Sequence, residues 1–189
     1  KGLPAAILMG VIHGAVRAVS AGWTGGNHPE LTAHLNELLC TQTAANRYVT
    51  LFWGFLDGAG RTLRYVNAGH LPPLLMRRRP EGGAQVLKLE DGGPVLGLLP
   101  GAAYGSGEAC LEEGDVLVAF SDGLSEAANA ADEEFGCDRV IDAAAGRLGR
   151  PPSDVLAGIL ESVRSFTGSR TPGDDLSLLV LRAGRPRAD

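Results

Sequence analysis

Three aspartates in this sequence stand where strongly apolar segments meet loops. Asp122 directly follows Ser121 and the apolar run VLVAF, and Asp174 and Asp175 directly precede the apolar run LSLLVL. If the two runs form neighbouring strands, their carboxylates converge at one edge of a sheet. Converging carboxylates repel one another unless they are protonated or bridged by a cation, and Mg²⁺ and Mn²⁺ prefer oxygen ligands. Gly123 permits a tight turn and leaves room for water on a metal.

A structural role accounts for the same residues without any metal. An aspartate that follows a strand is common as a turn residue or as a helix N-cap. Asp122 could cap the segment LSEAAN, and Asp174 or Asp175 could form an Asx turn. The pattern alone therefore leaves both interpretations open.

Composition and charge describe an ordinary globular chain. Its 189 residues are 44% hydrophobic and 21% charged, with a net charge of −5, which is enough for one domain with a sizeable core and disfavours nucleic-acid binding. The basic run Arg77–Arg79 is typical of a solvated hairpin end. Cys40, Cys110 and Cys137 are too widely spaced for a disulfide framework or a zinc site, so we expect small core residues in a reducing cytoplasm. No apolar run reaches the roughly 18 residues of a membrane span.

The predicted elements run helix, helix, several strands, helix, helix, strand. Because strands and helices are segregated, this order favours an α+β fold with antiparallel sheets and helices packed on their faces. Residues 92–101 are predicted as a loop, and Ser153 as the N-cap of the fourth helix. The predicted helices cover 3–20, 29–42, 132–148 and 152–166, and the predicted strands lie within 47–57, 62–69, 71–79, 84–90, 108–123 (with a turn at 113–115) and 173–182.

Seven stretches, in order along the chain, resemble the bacterial SpoIIE/RsbU-type serine/threonine phosphatases, a branch of the PP2C-like metal-dependent family. The resemblance implies a sandwich of two antiparallel β-sheets flanked by helices (α/β/β/α). It implies a single domain over residues 1–183, and the polar residues 184–189 are expected to form a flexible tail. The stretches are KGLPAAILM (1–9), YVTLFWGFLD (48–57), LRYVNAGHLPPLL (63–75), GGPVLGLLP (92–100), LEEGDVLVAFSDGLSEAAN (111–129), EEFG (133–136) and GDDLSLLVL (173–181).

The resemblance also implies two Mn²⁺ or Mg²⁺ ions and assigns residues to them. Asp122 matches the aspartate of the family's SDG motif and Asp174 the first aspartate of its GDD motif, so both are expected to be catalytic metal ligands. Asp175 is a further candidate ligand, at a position where eukaryotic relatives usually carry asparagine. His70, in the NAGH segment, and Gly123 are candidate substrate-binding residues. Two metals would activate a bridging water for in-line attack on phosphorus, with no protein nucleophile.

The resemblance has one departure. In the family, an Asp-Val-Ser-Gly stretch precedes KGLPAA, and its aspartate bridges both metals, whereas the present sequence begins at Lys1. We therefore expect the first strands and the bridging ligand to be missing, and these residues alone to have little or no activity. Missing strands would expose sheet edges and an apolar patch, through which the chain could form a homodimer, exchange elements or bind another chain.

Three functions are consistent with these observations. The first is a cytoplasmic enzyme that dephosphorylates an anti-sigma-factor antagonist of the STAS type in a stress-response pathway, under an N-terminal sensor or receiver domain, with no nucleic-acid or membrane partner. The second is a catalytically silent pseudophosphatase that sequesters the same partner. The third is a general protein phosphatase unrelated to sigma control. The presence of the bridging aspartate in the parent sequence separates the first two, and a panel of phosphoproteins separates the third.

Overall fold

The computed structural model describes residues 9–10, 12–17, 27–42, 47–57, 61–170 and 173–184. Residues 9–10 and 12–17 are helical, in agreement with the predicted first helix. The rest of that helix, the turn after Asp57 and residues 185–189 of the predicted tail lie outside the described residues. The other helices are α1 (His28–Gln42), α2 (Asp122–Ser125), α3 (Gly136–Ala145) and α4 (Pro152–Thr167), and the strands are β1 (Leu51–Asp57), β2 (Thr62–Ala68), β3 (Leu74–Arg78), β4 (Ala84–Lys88), β5 (Gly92–Gly93), β6 (Gly107–Cys110), β7 (Val116–Phe120) and β8 (Leu178–Arg182).

These strands form two sheets. In the first sheet β1, β2 and β5 are neighbours in that order and β6 also pairs with β2, while the second sheet has the order β4-β3-β7-β8. All three pairings in the second sheet are antiparallel. The predicted α+β class with antiparallel-rich sheets and helices is therefore confirmed. The pairing of β2 with β5 is parallel, in a segment predicted as a loop.

Contacts divide the chain into two compact units. The first contains α1, β1, β5 and nearly all of β2 and β6, and the second contains β3, β4, β7, β8 and α2 to α4. The prediction of a single domain over residues 1–183 stays a prediction. In the described part of the chain, no helix is long and apolar enough to cross a membrane.

One face of the second sheet forms the core of the second unit. Side chains alternate between the two faces of a strand, and the inward set is buried against α3 and α4. Burying a large apolar side chain contributes about 1.5–3 kcal/mol, so this face holds the sheet in place. The inward residues of β3, β7 and β8 are Leu74, Met76, Val116, Val118, Phe120 and Val180, and their buried helical partners include Val140, Ala144, Val155, Ile159 and Val163.

In the first unit, α1 is attached by apolar and polar contacts. Leu35 and Leu39 are buried. The amide of Asn36, fully buried, donates to Leu99 O at 2.8 Å and accepts from Gly97 N at 2.9 Å. This amide joins the helix to residues 97–99, so a polar residue is needed at that core position.

One helix start and one helix cap differ from the predictions. The third predicted helix begins at Gly136 rather than at 132. Asn129 Oδ1 accepts from the backbone N–H groups of Ala131 at 2.9 Å and Glu133 at 3.0 Å, which favours a turn over a helix. The prediction that Ser153 is an N-cap is wrong, because α4 begins at Pro152 with Pro151 at the N-cap position.

Cys110 is exposed, so the expectation that all three cysteines are core residues is wrong for it; Cys40 and Cys137 are half-buried. Burial raises the pKa of the Cys137 thiol, and this favours its neutral form.

The arginine run ends β3 in a hairpin with β4, as predicted, but Arg77 has a buried partner. Its Nε and Nη2 donate to Asp115 Oδ1 at 2.9 Å and Oδ2 at 2.8 Å. Asp115 is only 1% exposed and also accepts from the backbone N–H of Glu112 at 2.8 Å. The hydrogen bond to Asp115 raises the pKa of Arg77. This bidentate pair fixes the start of β7 against the end of β3.

We expect Asp115→Asn to lower the free energy of unfolding by about 2–3 kcal/mol, because it removes the charge that offsets Arg77 in a largely buried pair. Urea denaturation measures the loss. Glu108→Gln is the matched control, since the Arg64–Glu108 pair at 3.2 Å is 55% exposed on both sides and should contribute less than about 1 kcal/mol. Equal losses of unfolding free energy in Asp115→Asn and Glu108→Gln would contradict the conclusion that the buried Arg77–Asp115 pair stabilises the fold more than the exposed pair.

A second prediction concerns His28, which is buried with its ring 5.0 Å from that of Trp53. Burial, and secondarily the charge of Arg64, lowers the pKa of His28 from its ordinary value of 6.5. The unfolded chain then binds the proton more readily than the folded chain. The contribution of neutral His28 to the free energy of unfolding is therefore fully present above about pH 6.5 and is lost as pH falls towards the folded-state pKa.

We expect His28→Gln to remove this component of the pH dependence. Urea denaturation between about pH 7.5 and about pH 5.5 should show a shallower loss of stability than in the unsubstituted chain. His34→Gln, at an exposed position of the same helix, should leave the slope as it is. If the free energy of unfolding falls with pH at the same rate in His28→Gln and in the unsubstituted chain, His28 does not contribute to the pH dependence of stability.

Candidate functional site

The pairing of β7 with β8 brings the predicted acidic residues to one edge of the second sheet. Phe120, the last residue of β7, lies opposite Leu178, the first residue of β8. The expectation that the two apolar runs form neighbouring strands is thus confirmed. Asp122 leaves β7 at the same edge at which Asp174 and Asp175 lead into β8.

Asp122 is the first residue of α2, and the N-cap position belongs to Ser121. The alternative in which Asp122 is the N-cap is therefore wrong. Asp122 Oδ1 accepts from the backbone N–H of Gly123 at 2.9 Å, and the residue is exposed. Its carboxylate thus faces solvent at the end of a buried strand.

Asp174 and Asp175 are also exposed. Asp174 Oδ1 accepts from the backbone N–H of Asp175 at 2.7 Å, whereas an Asx turn is closed by a bond to the residue two positions on. This local bond orients the Asp174 side chain within the loop that precedes β8.

Gly123 allows the two acidic segments to approach each other. It is buried, and a Cβ on it would lie 2.4 Å from Asp175 O and 3.1 Å from Asp175 C. No real Cβ approaches backbone atoms so closely, so only glycine fits without displacing the loop. The structure thus gives Gly123 a packing role, and its contact with substrate stays a prediction.

The carboxylates fit part of a divalent-cation site. Their oxygen donors suit Mg²⁺ or Mn²⁺, which take six or more ligands and usually keep several waters. Within the residues that the structure describes, no group of three or more His, Cys, Asp or Glu side chains is arranged to hold a metal ion. Asp122 and Asp174 therefore qualify as ligands that lie at the same edge, and the described residues do not provide a complete set.

His70 belongs to the first unit, where it follows β2. Its backbone N–H donates to the side-chain Oδ1 of the buried Asn67 at 2.8 Å. Gly69, between them, has a φ of +68° and packs so closely on Val95 that a Cβ would lie 2.4 Å from Val95 Cγ1. The NAGH segment is thus a fixed turn with a half-buried histidine, and a substrate contact by His70 stays a prediction.

Sequence reasoning missed the role of Ser121. Its Oγ accepts from the backbone N–H of Ser177 at 2.9 Å and lies 3.4 Å from Asp175 O. A serine between a buried strand and an aspartate is too common to single out, so the pairing becomes visible only in the structure.

The solved structures that this chain resembles include PP2C and phosphatase domains. The whole chain superposes on the RsbU and RsbW domains of Rv1364c from Mycobacterium tuberculosis, covering 51% of that chain, with a TM-score of 0.76 and 24% identity. The SiaA-PP2C domain of Pseudomonas aeruginosa matches 96% of the chain and is itself covered over 71%, with a TM-score of 0.77 and 17% identity. The fold is therefore that of a PP2C-like phosphatase domain.

The family itself follows from sequence comparison. The family described as Stage II sporulation protein E (SpoIIE) matches residues 1–184, and the chain belongs to it. The chain is 29% identical over 126 residues to Phosphoserine phosphatase RsbU of Bacillus subtilis, covering 67% of this chain and 36% of RsbU. It is 24% identical over 134 residues to Protein IcfG of Synechocystis sp., covering 71% of this chain and 20% of IcfG. The predicted resemblance is confirmed, and the chain spans about a third or less of the length of these relatives.

The contact at Gly123 makes a testable prediction. We expect Gly123→Ala to lower the free energy of unfolding by about 1–3 kcal/mol, because the new Cβ must displace the Asp175 backbone. Gly173→Ala, in the loop that carries Asp174 and Asp175, is the control, since a Cβ there would meet nothing within 4 Å and should change stability by no more than about 0.5 kcal/mol. Urea denaturation compares the two, and an unaffected Gly123→Ala would contradict the close packing.

Proposed function

We propose that the complete protein hydrolyses phosphoserine or phosphothreonine on a regulatory partner protein. The observation that carries this proposal is the placement of Asp122 beside the Asp174–Asp175 segment at one sheet edge, in a chain of the SpoIIE family. Its relative RsbU is named a phosphoserine phosphatase. The exposed edge also suits a phosphate that is presented on the surface of another protein.

We propose that the reaction depends on two Mn²⁺ or Mg²⁺ ions, since PP2C-type phosphatases are metal-dependent. Asp122 and Asp174 would hold the metal through their exposed carboxylates, with Asp175 as a further ligand. When bound, the metal would supply Lewis acidity towards the phosphoryl oxygens. It would also lower the pKa of a water enough to make that water a nucleophile at neutral pH. Gly123 keeps the two acidic segments close together, and His70 is proposed to contact the substrate.

The proposed partner is a phosphorylated anti-sigma-factor antagonist of the STAS type, in a bacterial stress-response pathway in the cytoplasm. Two comparisons support this choice: RsbU is a relative, and in Rv1364c an RsbU domain occurs together with an RsbW domain. We also propose an N-terminal sensor or receiver domain in the parent protein and a homodimer as its assembly.

Catalysis is tested by Mn²⁺-dependent hydrolysis of an aryl phosphate by the complete protein. Asp122→Asn and Asp174→Asn should each lower kcat/KM by about 100-fold or more, because each removes a charged metal ligand. Asp142→Asn, at an exposed position of α3, is the control and should retain activity.

A complete protein that is folded but silent at every Mn²⁺ concentration would overturn the enzyme proposal. It would favour the pseudophosphatase that sequesters its partner. Hydrolysis of many unrelated phosphoproteins at similar rates would instead favour a general phosphatase.

A further inference from the structure

Backbone pairing between β7 and β8 continues beyond the last residues of the two strands. Ser121 N donates to Ser177 O at 3.0 Å, one residue past the Phe120–Leu178 pair. In the opposite direction, Ser177 N donates not to a main-chain carbonyl but to the side-chain Oγ of Ser121 at 2.9 Å. The hydroxyl thus takes the place of a backbone acceptor.

The same hydroxyl reaches towards the acidic segment. Ser121 Oγ lies 3.4 Å from Asp175 O, a long and weak hydrogen bond. It therefore lies between the N–H of Ser177 and the C=O of Asp175, on either side of Leu176. Leu176 packs against the apolar core of the second unit, so both apolar and polar contacts hold the segment.

Gly123 provides the other half of this arrangement. The Asp175 carbonyl that faces Ser121 Oγ is also the group that packs on Gly123. Residues on both sides of Asp122 therefore contact the backbone of Asp175. The position of Asp174 relative to Asp122 follows from these contacts, since both carboxylates belong to exposed segments.

We propose that Ser121 is a positioning residue, which holds the Asp174–Asp175 segment at the distance from Asp122 that a shared divalent cation requires. The proposal rests on the function proposed above. Ser121 acts through the backbone and touches neither metal nor substrate. Metal ligands must be held to within about 0.5 Å of their working geometry, and residues that orient ligands typically change metal affinity by about 10–100-fold.

Loss of the hydroxyl should affect metal binding more than folding. Ser177 is exposed, so water can bind its N–H when the Ser121 acceptor is removed. The core pairs of β7 and β8 do not involve this hydroxyl. The strands should therefore stay paired while the acidic segment becomes less well positioned.

The experiment measures Mn²⁺ binding to the complete protein by electron paramagnetic resonance, without any substrate. Ser121→Ala should raise the Kd for Mn²⁺ about 10-fold, with a urea midpoint close to that of the unsubstituted protein. Ser125→Ala is the matched control: Ser125 Oγ donates to Asp122 O at 3.2 Å within α2, and its loss should leave the Kd unchanged.

A second pair of variants separates the hydroxyl from side-chain size. Ser121→Thr keeps the hydroxyl and should bind Mn²⁺ nearly as tightly as the unsubstituted protein, whereas the similarly shaped Ser121→Val should behave like Ser121→Ala. Equal Kd values for the threonine and valine variants would overturn the role of Ser121, even if the alanine variant fails to fold.

The Asp122→Asn variant separates a failure of the proposed metal site from a failure of the proposed role of Ser121. If Asp122→Asn leaves Mn²⁺ binding intact, the proposed metal site fails and the role of Ser121 fails with it. If Asp122→Asn abolishes binding while Ser121→Ala matches Ser125→Ala, only the role of Ser121 is overturned.

Discussion

The antiparallel register between β7 and β8 is the constraint on which the candidate site depends. β7 lies between β3 and β8, and its alternate residues Val116, Val118 and Phe120 are buried against helices. A slip of one residue would turn this whole set to the other face of the sheet. The apolar core therefore fixes which ends of β7 and β8 meet, and the contacts of Ser121 and Gly123 with Asp175 then place Asp174 relative to Asp122.

Polar contacts supplement this register at both ends of β7. At its start, the buried carboxylate of Asp115 accepts two hydrogen bonds from Arg77 of the neighbouring strand. At its end, the hydroxyl of Ser121 accepts the N–H of Ser177. Between them the strand is held by its backbone pairing with β3 and β8 and by the burial of its alternate side chains. The hydrophobic effect is non-directional, whereas hydrogen bonds have a preferred geometry, so these polar contacts help to fix the alignment of β7 at both of its ends.

Those features that depend on local pattern could be predicted from the sequence, and those that depend on distant partners could not. The apolar runs predicted β7 and β8, and the aspartates at their ends predicted the acidic edge. The two glycines of β5 have no side chains to signal a strand, and they pair with β2 through their backbone. The partner of Arg77 lies 38 residues away, so charge alone indicated only a solvated hairpin end. Ser121 was missed for the same reason, since its acceptor role depends on Ser177.

The fixed register also determines where the chain can change in length. Deletion of one residue within β7 would draw Asp122 back by about 3.3 Å and turn the strand residues that follow the deletion to the opposite face of the sheet. The exposed turn at residues 79–83, which joins β3 to β4, lies at the opposite end of the sheet from Asp122. Insertions in that turn leave the β7–β8 register untouched, so it is the place where a tag or a fused domain would disturb the acidic edge least.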